Sequence, residues 1–384
     1  MKGRSRGLVA AVVGAALPAV VWLACGGSEP GASTPTSFDH FIATGSYEGE
    51  YWPTADWRTC RPEDVGMDSA SLYTAYEYAA RSSFVTEGIL VVRRGYVVGE
   101  EYFRGYGPTT RFSSFSVAKS FLSAVVGVAI ERGHIPGVEQ LAYPYFDAWK
   151  APGTDGRNRA ITVRHLLTMQ SGLQFTDASG AGWAGTDIEG ILNADDAIAY
   201  VLGLPSVAEP GARWNYSSGD SILLSGIVQA ATGRTVLDFG RERIFGRIGM
   251  GAMTWSSDRA GHTIGGWGIG ATVREYARFG YLYLRNGWWS GEALVPEPWI
   301  RQSLAAARPS VPGYGFQWWL APSFATNAQY PVPGDTFAAQ GLYHQKILVV
   351  PSRDLVVVRV GTDQGPSSWS DTEFLGRILA SLRG

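Results

Sequence analysis

Cysteine and lysine are scarce in this chain of 384 residues. Its two cysteines, Cys25 and Cys60, cannot form a framework of bridges, so the fold has to rest on a hydrophobic core. Only four of the 32 basic residues are lysine (Lys2, Lys119, Lys150, Lys346), and 32 basic against 34 acidic residues leave a formal charge of -2. So balanced a chain has no basic stripe with which to hold nucleic acid. The five histidines (His40, His134, His165, His262, His344) fall into no H-E-x-x-H pattern, and no G-x-S-x-G turn occurs. The usual signatures of a helix-borne zinc site and of an α/β-hydrolase elbow are therefore missing. Gly266-Trp267-Gly268-Ile269-Gly270 superficially suggests a dinucleotide loop, but no βαβ unit surrounds it, and lining a cleft is its expected role. No cofactor or metal is expected. At 45% hydrophobic and 17% charged, the composition also excludes disorder.

The N-terminus reads as an export signal. Lys2, Arg4 and Arg6 precede an apolar run over residues 8–24 that contains Pro18, the order of a secretory signal and not of a permanent span. Trp22-Leu23-Ala24-Cys25-Gly26 resembles a bacterial lipobox, in which the cysteine becomes an acylated N-terminus. The expected organisation is a lipoprotein-type signal peptide over 1–24, an exported linker over 25–56, and one domain over 57–384 with a helical part within about 125–310. That places the protein in the periplasm or on the cell surface of a bacterium, touching the membrane only through lipid on Cys25. A simply cleaved signal or an uncleaved anchor is the alternative. With Cys25 acylated, Cys60 stays unpaired.

Hydrophobic periodicity gives the architecture. Residues 88–92 and 96–103 flank Arg93-Arg94-Gly95, and residues 346–350 and 355–360 flank Pro351-Ser352-Arg353-Asp354; both read as hairpins. Phe374, Leu375, Ile378, Leu379 and Leu382 mark an amphipathic final helix over 371–383. Helical patterns cover 117–132, 162–170, 194–202, 219–231, 235–244 and 272–285. Strands at both ends and helices between them predict an α/β (α+β) fold, in which an antiparallel sheet assembled from both termini is flanked by helices and carries a helical insertion. A ligand would sit between the two parts.

Chemistry concentrates in three places. Ser116-Val117-Ala118-Lys119 is S-x-x-K opening an apolar helix. Positions i and i+3 share a helix face, and burial disfavours a charged amine, so Lys119 is expected to accept the Ser116 proton. A helix-capping serine with a snorkelling lysine is the ordinary alternative. One hundred residues on, Tyr216-Ser217-Ser218 stands on a turn entering the next helix; a phenol beside a cation gives up its proton more readily, which suits Tyr216 to a proton shuttle, with a packing aromatic beside a helix cap as the ordinary alternative. The third place is Ala339-Gln340-Gly341-Leu342 just before the last hairpin, where Gly341 would let the backbone approach a substrate closely. Trp183 lies in a glycine-rich loop and is a candidate cover for the cleft, with a surface-packed tryptophan as the alternative.

Together, S-x-x-K, His165-Leu166-Leu167-Thr168-Met169-Gln170-Ser171-Gly172-Leu173, Tyr-x-Ser, residues 272–280 and the C-terminal hairpin resemble the serine β-lactamase and penicillin-recognising family from about residue 59 onward. Within it the chain is most similar to class C β-lactamase-like hydrolases, including family VIII carboxylesterases and 6-aminohexanoate-dimer hydrolases. The resemblance implies the β-lactamase/transpeptidase-like fold and an acyl-enzyme on Ser116, with Lys119 and Tyr216 moving its proton. It implies an oxyanion site between the backbone N–H groups of Ser116 and Leu342, and substrate contacts from Ser218, Gly341, His344 and Trp183. The family's Lys/His-Thr/Ser-Gly is Ala339-Gln340-Gly341 here, and its Tyr-x-Asn is Tyr-x-Ser. Loss of that cation and hydroxyl favours a small ester or amide over a carboxylate-bearing substrate, with His344 and Lys346 as possible compensating groups. β-Lactamase or DD-peptidase activity is the alternative within enzymes. A non-catalytic envelope binding protein is the alternative of another class.

Overall fold

A computed structural model describes residues 43–177, 183–363 and 368–383. The signal-like segment and Cys25 lie outside them. Strand β1 (Thr86–Arg93) turns into β2 (Tyr96–Tyr102) through Arg94 and Gly95, both at positive φ (50° and 83°), the twist a two-residue hairpin requires. Strands β3 (Trp319–Leu320), β4 (Phe337–Gly341), β5 (Gln345–Val350) and β6 (Leu355–Gly361) complete an antiparallel sheet in the order β2-β1-β6-β5-β4-β3. The two ends of the chain meet where β1 runs beside β6, from Thr86 opposite Gly361 to Arg93 opposite Leu355. The sheet is thus built from both termini, as the paired hairpins predict.

Five helices pack in the two cores that flank the sheet: α1 (Ser69–Ala79), α2 (Ala118–Glu131), α3 (Ser218–Thr232), α4 (Val273–Leu284) and α5 (Asp371–Ala380). Along the strands, Leu90, Val92, Ile347, Val349, Val356 and Val358 enter one core, shared with α2, α3 and α4. Their neighbours Ile89, Val91, Leu348, Val350, Leu355 and Val357 enter a second core, shared with α1 and α5. Both faces are covered, which is why these strands read as unbroken apolar runs and not as alternating ones. Helix α4 lies close on the first face: a Cβ at Gly280 would stand 2.7 Å from Ile347 and from Val356. Thr272 and Glu275 form the capping box that starts it.

Three expectations are corrected. Residues 43–56, read as linker, are instead packed on the domain. The Ala43 N–H donates to Val98 O at 3.0 Å, the Arg278 guanidinium donates to Pro53 O at 2.7 Å, and Trp52 packs on Tyr281 and Trp289. The aromatics of this stretch supply the contact that its tether-like composition conceals. The helix expected over 162–170 stops at Leu167, because Met169 and Gly172 take positive φ (60° and 80°). That expected over 235–244 is a short helix, Val236–Gly240, followed by a π turn over Arg241–Phe245. Among the described residues no helix is long and apolar enough to cross a membrane.

Candidate active site

Ser116 lies in a 3-10 turn, Phe115–Val117, that runs directly into α2. The preceding Phe115 has φ 44°, a conformation disfavoured for a bulky residue and maintained only by its surroundings. Those surroundings are visible. The Ser114 N–H donates to Ile269 O at 2.8 Å, and the Ile269 N–H donates to Ser114 Oγ at 3.0 Å. On the other side the end of β4 presses in: a Cβ on Gly341 would stand 2.5 Å from Ser114 O and 3.2 Å from Phe115 Cβ. The close approach expected of Gly341 is therefore to the backbone that leads into Ser116. It brings Leu342 and Ser116 to the wall of one cavity.

Lys119 is buried, with 2% exposure. Its Nζ is 3.0 Å from Ser116 Oγ, 2.9 Å from Ser218 Oγ and 3.0 Å from Gly266 O. The i, i+3 spacing read from the sequence thus places amine and hydroxyl in contact. Tyr216 meets Lys119 through its ring face, with Nζ 4.9 Å from the centroid, a cation–π arrangement. Behind it the ring is stacked on Trp319, with centroids 5.9 Å apart at 29°. The stretch from His165 to Leu173 is the scaffold of this loop: the Asn215 N–H donates to Met169 O at 2.9 Å and the Ser217 N–H to Met169 Sδ at 3.4 Å. Ser217 then caps α3, its Oγ accepting the Asp220 N–H at 3.1 Å.

Two carboxylates beside these groups went unread in the sequence. Asp177 accepts the Ser218 hydroxyl on Oδ1 at 2.6 Å and the Ser218 N–H on Oδ2 at 2.7 Å. Asp220 is fully buried; its Oδ1 accepts from Ser171 Oγ at 2.6 Å and from Ser217 Oγ at 3.2 Å, while Oδ2 has no hydrogen-bond partner. Burial pushes the Asp220 carboxyl up to about 7 against the lowering effect of those hydroxyls. Asp220 follows just after the Tyr-x-Ser turn without a pattern of its own, and no local pattern marks Asp177.

The cavity has a volume of about 440 Å³ and is lined by Ser116, Tyr216, Ser218, Gly341 and Leu342, by Asp177 and Gln340, and by an apolar wall that includes Phe115, Trp183, Trp267 and Trp319. Trp183 stands at its mouth, 41% exposed. His344 is not among the lining residues. Its Nδ1 faces Asp371 at 3.5 Å, because the turn that carries Leu342 reverses through Tyr343 and His344, both at φ 60°. Lys346 is likewise committed, with Nζ 2.9 Å from Asp371 Oδ2 and 2.6 Å from Gln340 Oε1. Burial alone would raise Asp371, but the Lys346 and His344 charges and hydrogen bonds hold its carboxyl well below the usual carboxylate range. Neither compensating group reaches the substrate space.

Among the described residues one cluster has metal-ligand chemistry. Asp196, Asp258 and His262 bring their ligand atoms within 4.8 Å of one another. Their oxygens already serve the backbone: Asp196 accepts the Ala199 N–H at 2.9 Å, and Asp258 accepts those of Ala197 at 2.9 Å and His262 at 2.7 Å. The cluster is accounted for by capping.

The sequence and the fold have clear counterparts. The chain is 24% identical over 313 residues to the 6-aminohexanoate-dimer hydrolase of Paenarthrobacter ureafaciens, covering 75% of this chain and 74% of that protein. Among solved structures it resembles a penicillin-binding protein homologue from Caulobacter crescentus at a TM-score of 0.63 and 18% identity, covering 82% of this chain and 97% of the other. It also resembles a family VIII carboxylesterase at a TM-score of 0.62 and 14% identity, covering 81% and 96%. Residues 77–380 match the family described as Beta-lactamase. Over most of its length, then, the chain belongs to the beta-lactamase family, and it is a serine hydrolase of that fold.

Proposed function

We propose that this is an exported enzyme, tethered by lipid on Cys25, that cleaves small uncharged esters or linear amides through an acyl-enzyme on Ser116. The observation that carries the reading is the 3.0 Å contact between Lys119 Nζ and Ser116 Oγ at the base of an aromatic-walled cavity. As Ser116 Oγ attacks the carbonyl carbon, its proton passes to Lys119 and the carbonyl electron pair moves onto oxygen. The backbone N–H groups of Ser116 and Leu342 stabilise that oxyanion. Collapse of the tetrahedral intermediate breaks the bond to the leaving group, which takes the proton through Lys119 and Tyr216. Water then repeats the sequence on the acyl group. The substrate preference is supported by what the walls hold: aromatic faces, the neutral amide of Gln340, and one carboxylate already occupied by Ser218. Lys346, the nearest spare cation on this edge, is neutralised by Asp371. The relative named as a carboxylesterase is in keeping with this class; the one named as a 6-aminohexanoate-dimer hydrolase supports linear amide cleavage alone, because such a dimer carries a carboxylate and an amine.

A fluorophosphonate probe tests the mechanism. Peptide mass spectrometry should find the adduct on Ser116, and Ser116→Ala should lose both labelling and hydrolysis. An adduct elsewhere, with hydrolysis surviving in the alanine variant, would overturn it.

A further inference from the structure

The hydrogen bonds around Lys119 have a direction that follows from the chemistry of the partners. Gly266 O can only accept, so one Lys119 N–H points at it at 3.0 Å. Ser218 Oγ carries a single proton, and at 2.6 Å from Asp177 Oδ1 that proton is committed to a group which only accepts. Towards Lys119, 2.9 Å away, Ser218 can therefore offer only a lone pair, and it takes a second N–H. When Lys119 acts as a base it has two N–H bonds and one lone pair. Both N–H bonds are spoken for, and the lone pair is left facing Ser116 Oγ at 3.0 Å.

We infer that Asp177 is a positioning residue: by fixing the direction of the Ser218 hydroxyl, it aims the basic lone pair of Lys119 at the Ser116 proton. This rests on the proposed acyl-enzyme reading. Asp177 lines the cavity, but its hydrogen bonds run to Ser218 and not to Ser116 or Lys119, so its effect on the base passes through Ser218. Its second oxygen makes the arrangement rigid, because Oδ2 is held by the Ser218 N–H at 2.7 Å. That second bond also determines what an isosteric amide would do. In Asp177→Asn the amide NH2 cannot face the backbone N–H, so the carbonyl oxygen turns to it and the NH2 turns to Ser218 Oγ. The serine hydroxyl is then forced to donate towards Lys119, where it competes for the lone pair that Ser116 needs.

The test is a double-mutant cycle on the full chain, read as the rate of inactivation by a small fluorophosphonate, which follows attack by the serine. Asp177→Asn should slow inactivation at least about tenfold, the scale of a misdirected hydrogen bond to a charged group. Ser218→Ala removes the hydroxyl and with it the means of misdirection, so it should slow the reaction less. The double variant should return to the Ser218→Ala rate and be faster than Asp177→Asn alone, a reversal that loss of folding cannot produce. An Asp177→Asn rate within about twofold of wild type, or losses that multiply in the double variant, would overturn the inference. Neutron diffraction of the wild type provides an arm independent of any variant. The Ser218 deuteron should lie on the Asp177 side, and a deuteron on the Lys119 side would overturn the inference equally. If the wild type itself is not labelled at Ser116, the acyl-enzyme reading fails and not the hydrogen-bond direction.

Discussion

A carboxyl group that stays protonated in the fold but ionises in the unfolded chain favours folding only at low pH. Asp220 is such a group, raised by burial from 3.8 to about 7. Below pH 3.8 it is neutral in both states. As pH rises through the window up to 7, the unfolded chain ionises first and stability is lost, and above the folded value the loss is complete. At 1.36 kcal/mol per unit this amounts to about 4 kcal/mol. Asp220→Asn does not titrate, so its stability relative to wild type should increase by about that amount between pH 4 and pH 8 in denaturant titrations. A difference independent of pH would show that Asp220 ionises freely in the fold. Gly341 makes a different case. Its φ of -133° is open to any residue, so Gly341→Ala acts through the contacts of the new Cβ, 2.5 Å from Ser114 O, 3.1 Å from Gln345 Cβ and 3.2 Å from Phe115 Cβ. Displacing this strand end should lower kcat by about tenfold to a hundredfold while the melting transition stays cooperative. Lys119→Ala and Tyr216→Phe should each slow acylation by about 10² or more in single-turnover kinetics; a near-normal rate for the tyrosine variant would assign its ring to packing. These residues differ in how legible they were. Ser116 and Lys119 are joined by helical spacing, whereas Asp177 and Ser218 are 41 positions apart, and only tertiary folding brings them together.

At the scale of elements, the corner after β4 depends on Arg359 in β6. This side chain is fully buried. Its Nη1 donates to Tyr343 O at 2.7 Å and His344 O at 3.3 Å, its Nη2 pairs with Asp363, and its guanidinium lies 4.3 Å over Trp369. The corner it braces contains two residues at positive φ and carries Leu342. Arg359→Met leaves the Asp363 carboxylate buried without its partner, which should cost about 3–5 kcal/mol in denaturant unfolding. Activity should fall further than the loss of folded protein accounts for, and activity that tracks only the folded fraction would separate the brace from the site. The elements themselves were legible where hydrophobic periodicity was strong, in both hairpins, in α2 and in α5. They were illegible where geometry depends on a neighbour. The two-residue β3 pairs only because Phe337 and Ala338 stand opposite it, and Met169 breaks its helix to hold the Tyr216 loop.

For the molecule as a whole, the proposed substrate preference rests on the balance of charge at the cavity. A carboxylate-bearing substrate needs a cation or a donor-rich edge, worth about 1.5–3 kcal/mol for a charge-assisted hydrogen bond. Here the edge offers Gln340 and Gly341, with Lys346 turned to Asp371. On one purified preparation, kcat/KM for p-nitrophenyl butyrate should exceed that for a chromogenic cephalosporin by at least about tenfold. A preference for the cephalosporin would mean that Lys346 leaves Asp371 when substrate binds.

The sheet order also governs how the chain can be made. β6, which ends at Gly361, is synthesised more than 250 residues after β1, yet it lies between β1 and β5. Until it arrives, the β1–β2 hairpin presents an unpaired edge with apolar side chains on both faces, a template for association with other chains. Folding of the sheet must therefore wait until β6 has been made, and the closing step joins Thr86 to Gly361 across nearly the whole domain, a loop whose closure is slow. A chain shortened ahead of Leu355 loses the middle of its sheet and not a margin. In cells it should accumulate as aggregate, with no folded remnant to recover.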